Sequence, residues 1–118
     1  MVTVQPHLKG MEEAVIITIP LGESGFDLDE KFCRELESCL SRALEASGSG
    51  EYDGNEFGEG IYKVFLYGPS ADSIFMAVMP LLLHLPVPSG SYVIKRYGPP
   101  GSRSEMIKVS PPDPLIPG

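Results

Sequence analysis

Tryptophan is absent from this chain of 118 residues, and only two cysteines and two histidines occur. Two thiols cannot build the disulfide framework of a small stapled domain. Cys33 and Cys39 lie in a segment with helical periodicity, where six residues of rise separate them by about 9 Å. Disulfide Cα atoms must lie within about 7 Å, so these two are expected as free thiols filling small apolar positions. Free thiols fit a reducing compartment.

Basic charge is also scarce. Nine Lys and Arg face sixteen Asp and Glu, a net charge of -7. Generic nucleic-acid binding is thereby disfavoured, because a polyanion demands a basic face. Long apolar runs are missing too. The longest, IFMAVMPLLLHLPVP at Ile74–Pro88, has 15 residues, three prolines and a histidine. A bilayer takes about 20 apolar residues, so this segment is expected as a buried helix or an interface rather than a membrane span. The opening residues MVTVQPHLKG lack the basic and apolar regions of a leader. A cytoplasmic location is the expectation.

Few histidines leave little material for nucleophilic or metal chemistry. His7 falls in an irregular lead-in. His84, in Leu-Leu-Leu-His-Leu-Pro, is expected to end a helix and meet its last carbonyls. A zinc site drawn from His84, Cys33 and Cys39 has no recognised spacing. No catalytic residue, metal or cofactor is assigned.

What is present suits one α+β domain. Hydrophobic residues make up 42% of 12.8 kDa, enough for one core. Ala14–Ile19 (AVIITI) is a β-branched run, read as a central strand buried on both faces. Asp27 and Glu30 form a capping box for an amphipathic helix over Leu28–Ala46. Its apolar stripe is Phe32, Leu36, Cys39/Leu40 and Ala43/Leu44. Lys31, Arg34, Glu35, Glu37, Arg42 and Glu45 fill its polar side.

EYDGNEFGEG at 51–60 reads as a short irregular edge strand with Gly58-Glu59-Gly60 as its turn. Ile61–Tyr67 alternates cleanly: Ile61, Lys63, Phe65 and Tyr67 on one face, Tyr62, Val64 and Leu66 on the other. Ser70 N-caps a second helix, with Asp72 in its first turn. Pro80 predicts a kink or early stop near Met76–Met79. Ser91–Tyr97 is the next strand, and Glu105–Val109 a short last one. A domain over residues 1–109 and a proline-rich flexible tail over 110–118 follow.

Tyr67-Gly68-Pro69 returns as Tyr97-Gly98-Pro99, thirty residues on, each at the end of a predicted strand. The order is then strand–helix–strand twice over. This predicts a ferredoxin-like split βαβ arrangement, an antiparallel sheet of four strands with two helices on one face.

Asp53-Gly54-Asn55-Glu56, the run Leu66–Asp72, and Gly90-Ser91-Tyr92-Val93 with Arg96–Gly101 carry a resemblance. Over roughly residues 14–109 the chain resembles a family of small, uncharacterised bacterial ferredoxin-like proteins with DG-x-E, YGP-x-AD and GSYV-x-x-RYGPPG motifs. The resemblance implies the fold. It transfers no catalytic residue.

Three surfaces are candidates for function. Glu51, Asp53, Asn55, Glu56 and Glu59 form an acidic segment, with Glu51, Asp53 and Asn55 expected on one strand face. It is read as a solvated edge, a surface for a basic protein, or a hard-cation site. Gly68–Ala71 opens a helix, where free N–H groups suit an anion or simply a cap. Lys95, Arg96 and Arg103 make residues 91–118 locally basic, +2 against -9 for residues 1–90. Tyr67, Ser70, Arg96 and Tyr97 are the candidate ligand-binding residues.

The five tyrosines lack RNA-binding surroundings but suit a sheet-on-sheet dimer. The functional expectation is a non-enzymatic module, homodimeric or binding a small ligand. The alternatives are an enzyme on a dimeric α+β barrel, using His84, Tyr67, Tyr97 and Arg96, and an acidic, immunity-type inhibitor of a basic partner.

Overall fold

The computed structural model describes residues 12–21, 30–85 and 87–109. The lead-in with His7, the Asp27 cap and the tail at 110–118 lie outside the described residues.

Among the described residues, seven elements follow in chain order. They are β1 (Glu13–Pro20), α1 (Glu30–Ser47), β2 (Glu51–Gly58), β3 (Ile61–Gly68), α2 (Ala71–His84), β4 (Tyr92–Arg96) and β5 (Ser104–Lys108). The fold is α+β, with one antiparallel sheet ordered β2-β3-β1-β4-β5. The sheet has five strands rather than the four expected, because β5 pairs with β4 and extends that edge.

β1 sits in the middle, paired with β3 and β4. Its β-branched run suits that place, since a central strand has neighbours on both sides and no solvated edge. Alternation divides the sheet into two faces. Val15, Ile17 and Ile19 of β1 stand beside Leu66, Val64 and Tyr62 of β3, and Ile17 also beside Val93 of β4. All seven are buried in one core cluster with Leu36, Leu40 and Leu44 of α1 and Ile74, Val78 and Leu82 of α2. At about 25 cal/mol per Å² of apolar surface, this cluster is the main source of stability.

Pro80 does not stop α2, which runs on to His84. The helix keeps Ile74, Val78 and Leu82 fully buried, and their burial offsets the one backbone bond that proline removes. His84 caps the end as expected, its Nδ1 donating to the Pro80 carbonyl at 2.8 Å. At the other end Ser70 caps α2, accepting from the Ser73 N–H at 3.1 Å. Both cysteines are free thiols.

The β2–β3 turn places Glu59 and Gly60 at φ 52° and 76°, the left-handed pair of a tight hairpin whose twist suits the strands. The repeated Tyr-Gly-Pro has a local cause. A Cβ on Gly68 would lie 2.3 Å from the Ser49 carbonyl oxygen, and one on Gly98 2.4 Å from Ser102 Oγ. Both strands leave the sheet where another part of the chain crosses close by.

Candidate functional site

The structure brings side chains together in three groups. The first centres on Glu37. Its carboxylate accepts from Tyr52 Oη at 2.8 Å, Asn55 Nδ2 at 2.6 Å and the Tyr62 hydroxyl. Glu37 therefore leaves the solvated side of α1 and ties that helix to β2 and β3. Its spacing of four from buried Cys33 was the available signal, because that places it at the margin of the apolar stripe. Burial pushes the Tyr52 hydroxyl up to about 12, helped by the hydrogen bond to Glu37 and its charge. Tyr62 moves in the same direction for the same causes. Both hydroxyls stay protonated as donors to the carboxylate.

The Tyr52–Gly54 register shift in β2 corrects the reading of the acidic segment. A bulge at Asp53 inserts one residue and reverses the alternation beyond it. Glu51 stands opposite Tyr67, while Asn55 stands opposite Val64 on the other face. Glu51, Asp53 and Asn55 therefore do not share a face, and Asn55 serves Glu37 instead. Glu51, Asp53, Glu56 and Glu59 are exposed. Among the described residues, no cluster of three or more metal-ligating side chains occurs.

The second group joins α2 to the β4–β5 edge. Asp72 Oδ1 accepts from Lys95 Nζ and Tyr97 Oη, each at 2.8 Å. Tyr97 also reaches Glu105 at 3.2 Å. Lys95 Nζ lies 4.8 Å from the Phe75 ring centroid and Arg103 4.5 Å from that of Tyr97. The hydrogen bond from Lys95, then that from Tyr97, holds Asp72 below the usual carboxylate range. Lys95 is pushed up by the same partners, Asp72 first. A lysine held this firmly protonated is a poor nucleophile. The N-terminus of α2 is equally committed, since the Ala71 N–H donates to Glu13 Oε1 at 2.8 Å. Of the two readings of Gly68–Ala71, an anion site or a cap, the contacts are those of a cap, with Glu13 supplying the carboxylate and Ser70 the hydroxyl.

The third group is the second face of the sheet. Strand register arranges it in rows. The middle row is Gly54, Phe65, Ile16, Ile94 and Met106. On one side run Glu51, Tyr67, Ala14, Arg96 and Ser104, and on the other Glu56, Lys63, Thr18, Tyr92 and Lys108. Ile16, Phe65 and Ile94 are half-buried, while Met106 keeps 61% of its surface exposed. Arg96 reaches over the Tyr67 ring at 5.7 Å. Both lean across Ala14, which is fully buried beneath them.

Two hollows mark opposite edges of this face. One, of about 260 Å³, is lined by Glu56, Gly58, Glu59, Ile61 and Lys63. The other, of about 360 Å³, is lined by Ser89, Gly90, Ser91, Tyr92, Met106 and Lys108.

The four candidate ligand residues are not gathered into one site. Tyr67 and Arg96 meet on the second face. Tyr97 follows Arg96 directly, so alternation sends it to the opposite face, and Ser70 is spent as a helix cap. His84 lies at the far end of α2. Of the five tyrosines, only Tyr67 and Tyr92 stand on the second face; Tyr52 and Tyr62 belong with Glu37, and Tyr97 with Asp72.

No family model matches the sequence, and comparison with curated proteins and with solved structures finds no match. No described helix is long and apolar enough to cross a membrane.

Proposed function

We propose that the protein is a non-enzymatic interaction module that works as a homodimer. In this reading the chain is a ferredoxin-like βαββαβ unit with one added C-terminal strand, akin to the bacterial family its motifs resemble. Both helices cover one face of the sheet and leave the other for a partner. The strand order β2-β3-β1-β4 and the single core shared by α1 and α2 support that assignment.

The observation that carries the function is the second face itself. A continuous apolar row runs from Phe65 through Ile16 and Ile94 to exposed Met106, with charged residues to either side. Contiguous apolar surface rimmed by polar groups marks an interaction site. The polar clusters elsewhere hold helices to strands, so the chemistry-bearing residues are engaged in architecture.

The enzyme reading asked for a deep pocket in which at least two of His84, Tyr67, Tyr97 and Arg96 converge; Tyr67 and Arg96 meet, but they line neither hollow of this face. The inhibitor reading keeps its exposed acids, but Glu56 stands beside Lys63 and the segment is split between faces.

Native mass spectrometry of untagged protein, purified without chelator, tests the proposal. The expected result is a species of twice 12.8 kDa with no added mass. A monomer at all concentrations would overturn it, and a reproducible small adduct would move the function to ligand binding.

A further inference from the structure

We infer that the partner on the second face is another copy of this chain, seated about a two-fold axis that runs parallel to the strands over β1. The inference rests on the homodimer reading above and specifies its geometry.

Central β1 makes this axis special. The order β2-β3-β1-β4-β5 has β1 as its midpoint. A two-fold along β1 lays β2 over the partner's β5 and β3 over the partner's β4, while keeping each row level with itself. Phe65 then meets Ile94 of the partner subunit, and Ile16 meets the partner's Ile16. Protruding Met106 comes down on the partner's Gly54, which has no side chain to displace.

The outer rows match in charge. Glu56 faces Lys108 of the partner subunit, and Lys108 faces the partner's Glu56. Tyr67 faces the partner's Arg96, and Lys63 the partner's Tyr92, both cation–aromatic pairings.

The other two-fold that keeps the strands of the two sheets aligned, perpendicular to them, exchanges the two outer rows and keeps each strand over itself. It sets Glu51 against the partner's Glu56, a like-charge opposition on a chain that already carries -7. Charge therefore selects the strand-parallel axis.

The area is adequate. Five strands spaced about 4.8 Å apart, with five to eight residues each, give a flat footprint of about 500 Å². Side-chain relief raises this toward the about 800 Å² per partner of a standard interface. Aligned packing lets the two sheets cross at about 30°.

The test is a charge swap at two exposed positions, read by sedimentation velocity. Glu56→Lys and Lys108→Glu are each expected to weaken homodimerisation roughly tenfold by setting like charges together twice per dimer. An equimolar mixture is expected to form a heterodimer of near wild-type affinity, because both Lys–Glu pairs are restored. Far-UV circular dichroism confirms that each variant is folded.

A Glu56→Lys homodimer as tight as wild type or tighter would overturn the strand-parallel axis while leaving dimerisation intact. So would a mixture that fails to recover. A wild-type chain that remains monomeric would remove the homodimer reading and this inference with it.

Discussion

Glu37→Ala is the sharpest perturbation of the fold. The Glu37 carboxylate accepts three hydrogen bonds from β2 and β3. Two donors stand on partly or fully exposed residues, Tyr52 and Asn55, and water replaces their acceptor at little cost. The third is the hydroxyl of Tyr62, whose side chain is fully buried. Leaving a buried donor unpaired costs about 1–3 kcal/mol, and a charge-assisted bond adds about as much again. The expected destabilisation is about 3 kcal/mol, a fall in Tm of about 10 °C for a domain of this size. Glu37→Gln keeps one acceptor oxygen and loses the charge, so it should cost about half as much.

Urea unfolding followed by circular dichroism measures these values. Tyr62→Phe removes the stranded hydroxyl and should recover about 1–2 kcal/mol in the Glu37→Ala background. Loss of less than about 0.5 kcal/mol in Glu37→Ala, or no recovery on adding Tyr62→Phe, would refute the account of this cluster.

The same cluster sets an alkaline limit. Tyr52 is raised from 10.0 to about 12, so the folded state favours the protonated hydroxyl. That contribution is complete below about pH 10 and is lost as pH rises through about 12. Phenolate absorbance should show its titration moving down toward 10 in Glu37→Ala.

Further substitutions test separate features. Gly68→Ala should destabilise by about 2 kcal/mol or more, because its Cβ meets a backbone carbonyl that cannot move aside; thermal melting reads it. Thr18→Val should be neutral or stabilising by up to about 1 kcal/mol. Its buried hydroxyl has no hydrogen-bond partner among the described residues, and urea midpoints measure the change. Pro80→Ala should stabilise by about 1–2 kcal/mol by restoring an N–H inside α2. Chemical denaturation with unchanged slope would confirm that.

Much of the architecture was legible because it is written in local periodicity. The alternation of Ile61–Tyr67 named both faces of β3 correctly, and the Leu36, Leu40 and Leu44 spacing named the buried stripe of α1. Ser70 as a cap and His84 as a helix-end residue follow from chemistry within four positions. What escaped depends on distance along the chain or on a one-residue irregularity. The bulge at Asp53 changes which face Asn55 occupies, and no alternation pattern announces it. Glu13 meets the Ala71 N–H across 58 positions, and Glu37 meets Tyr62 across 25. Such contacts exist only once the sheet has formed.

The second face was only half visible. Phe65 and Tyr67 were placed together by their own strand. Joining them to Ile16, Ile94, Met106 and Lys108 required the registers of three further strand pairings. The tyrosine count pointed toward an aromatic sheet surface, yet three of the five stand on the core face. Apolar residues from four strands make its middle row, with Tyr67 and Tyr92 in the rows to either side.

The most direct test of the central claim is sedimentation equilibrium of the wild-type chain beside Met106→Glu. Met106 is 61% exposed, so a glutamate there leaves the core untouched and places charge in the middle row. Self-association through the second face predicts a concentration-dependent dimer for the wild type and a monomer for the variant. A wild-type monomer throughout, or a dimer indifferent to Met106→Glu, would contradict it.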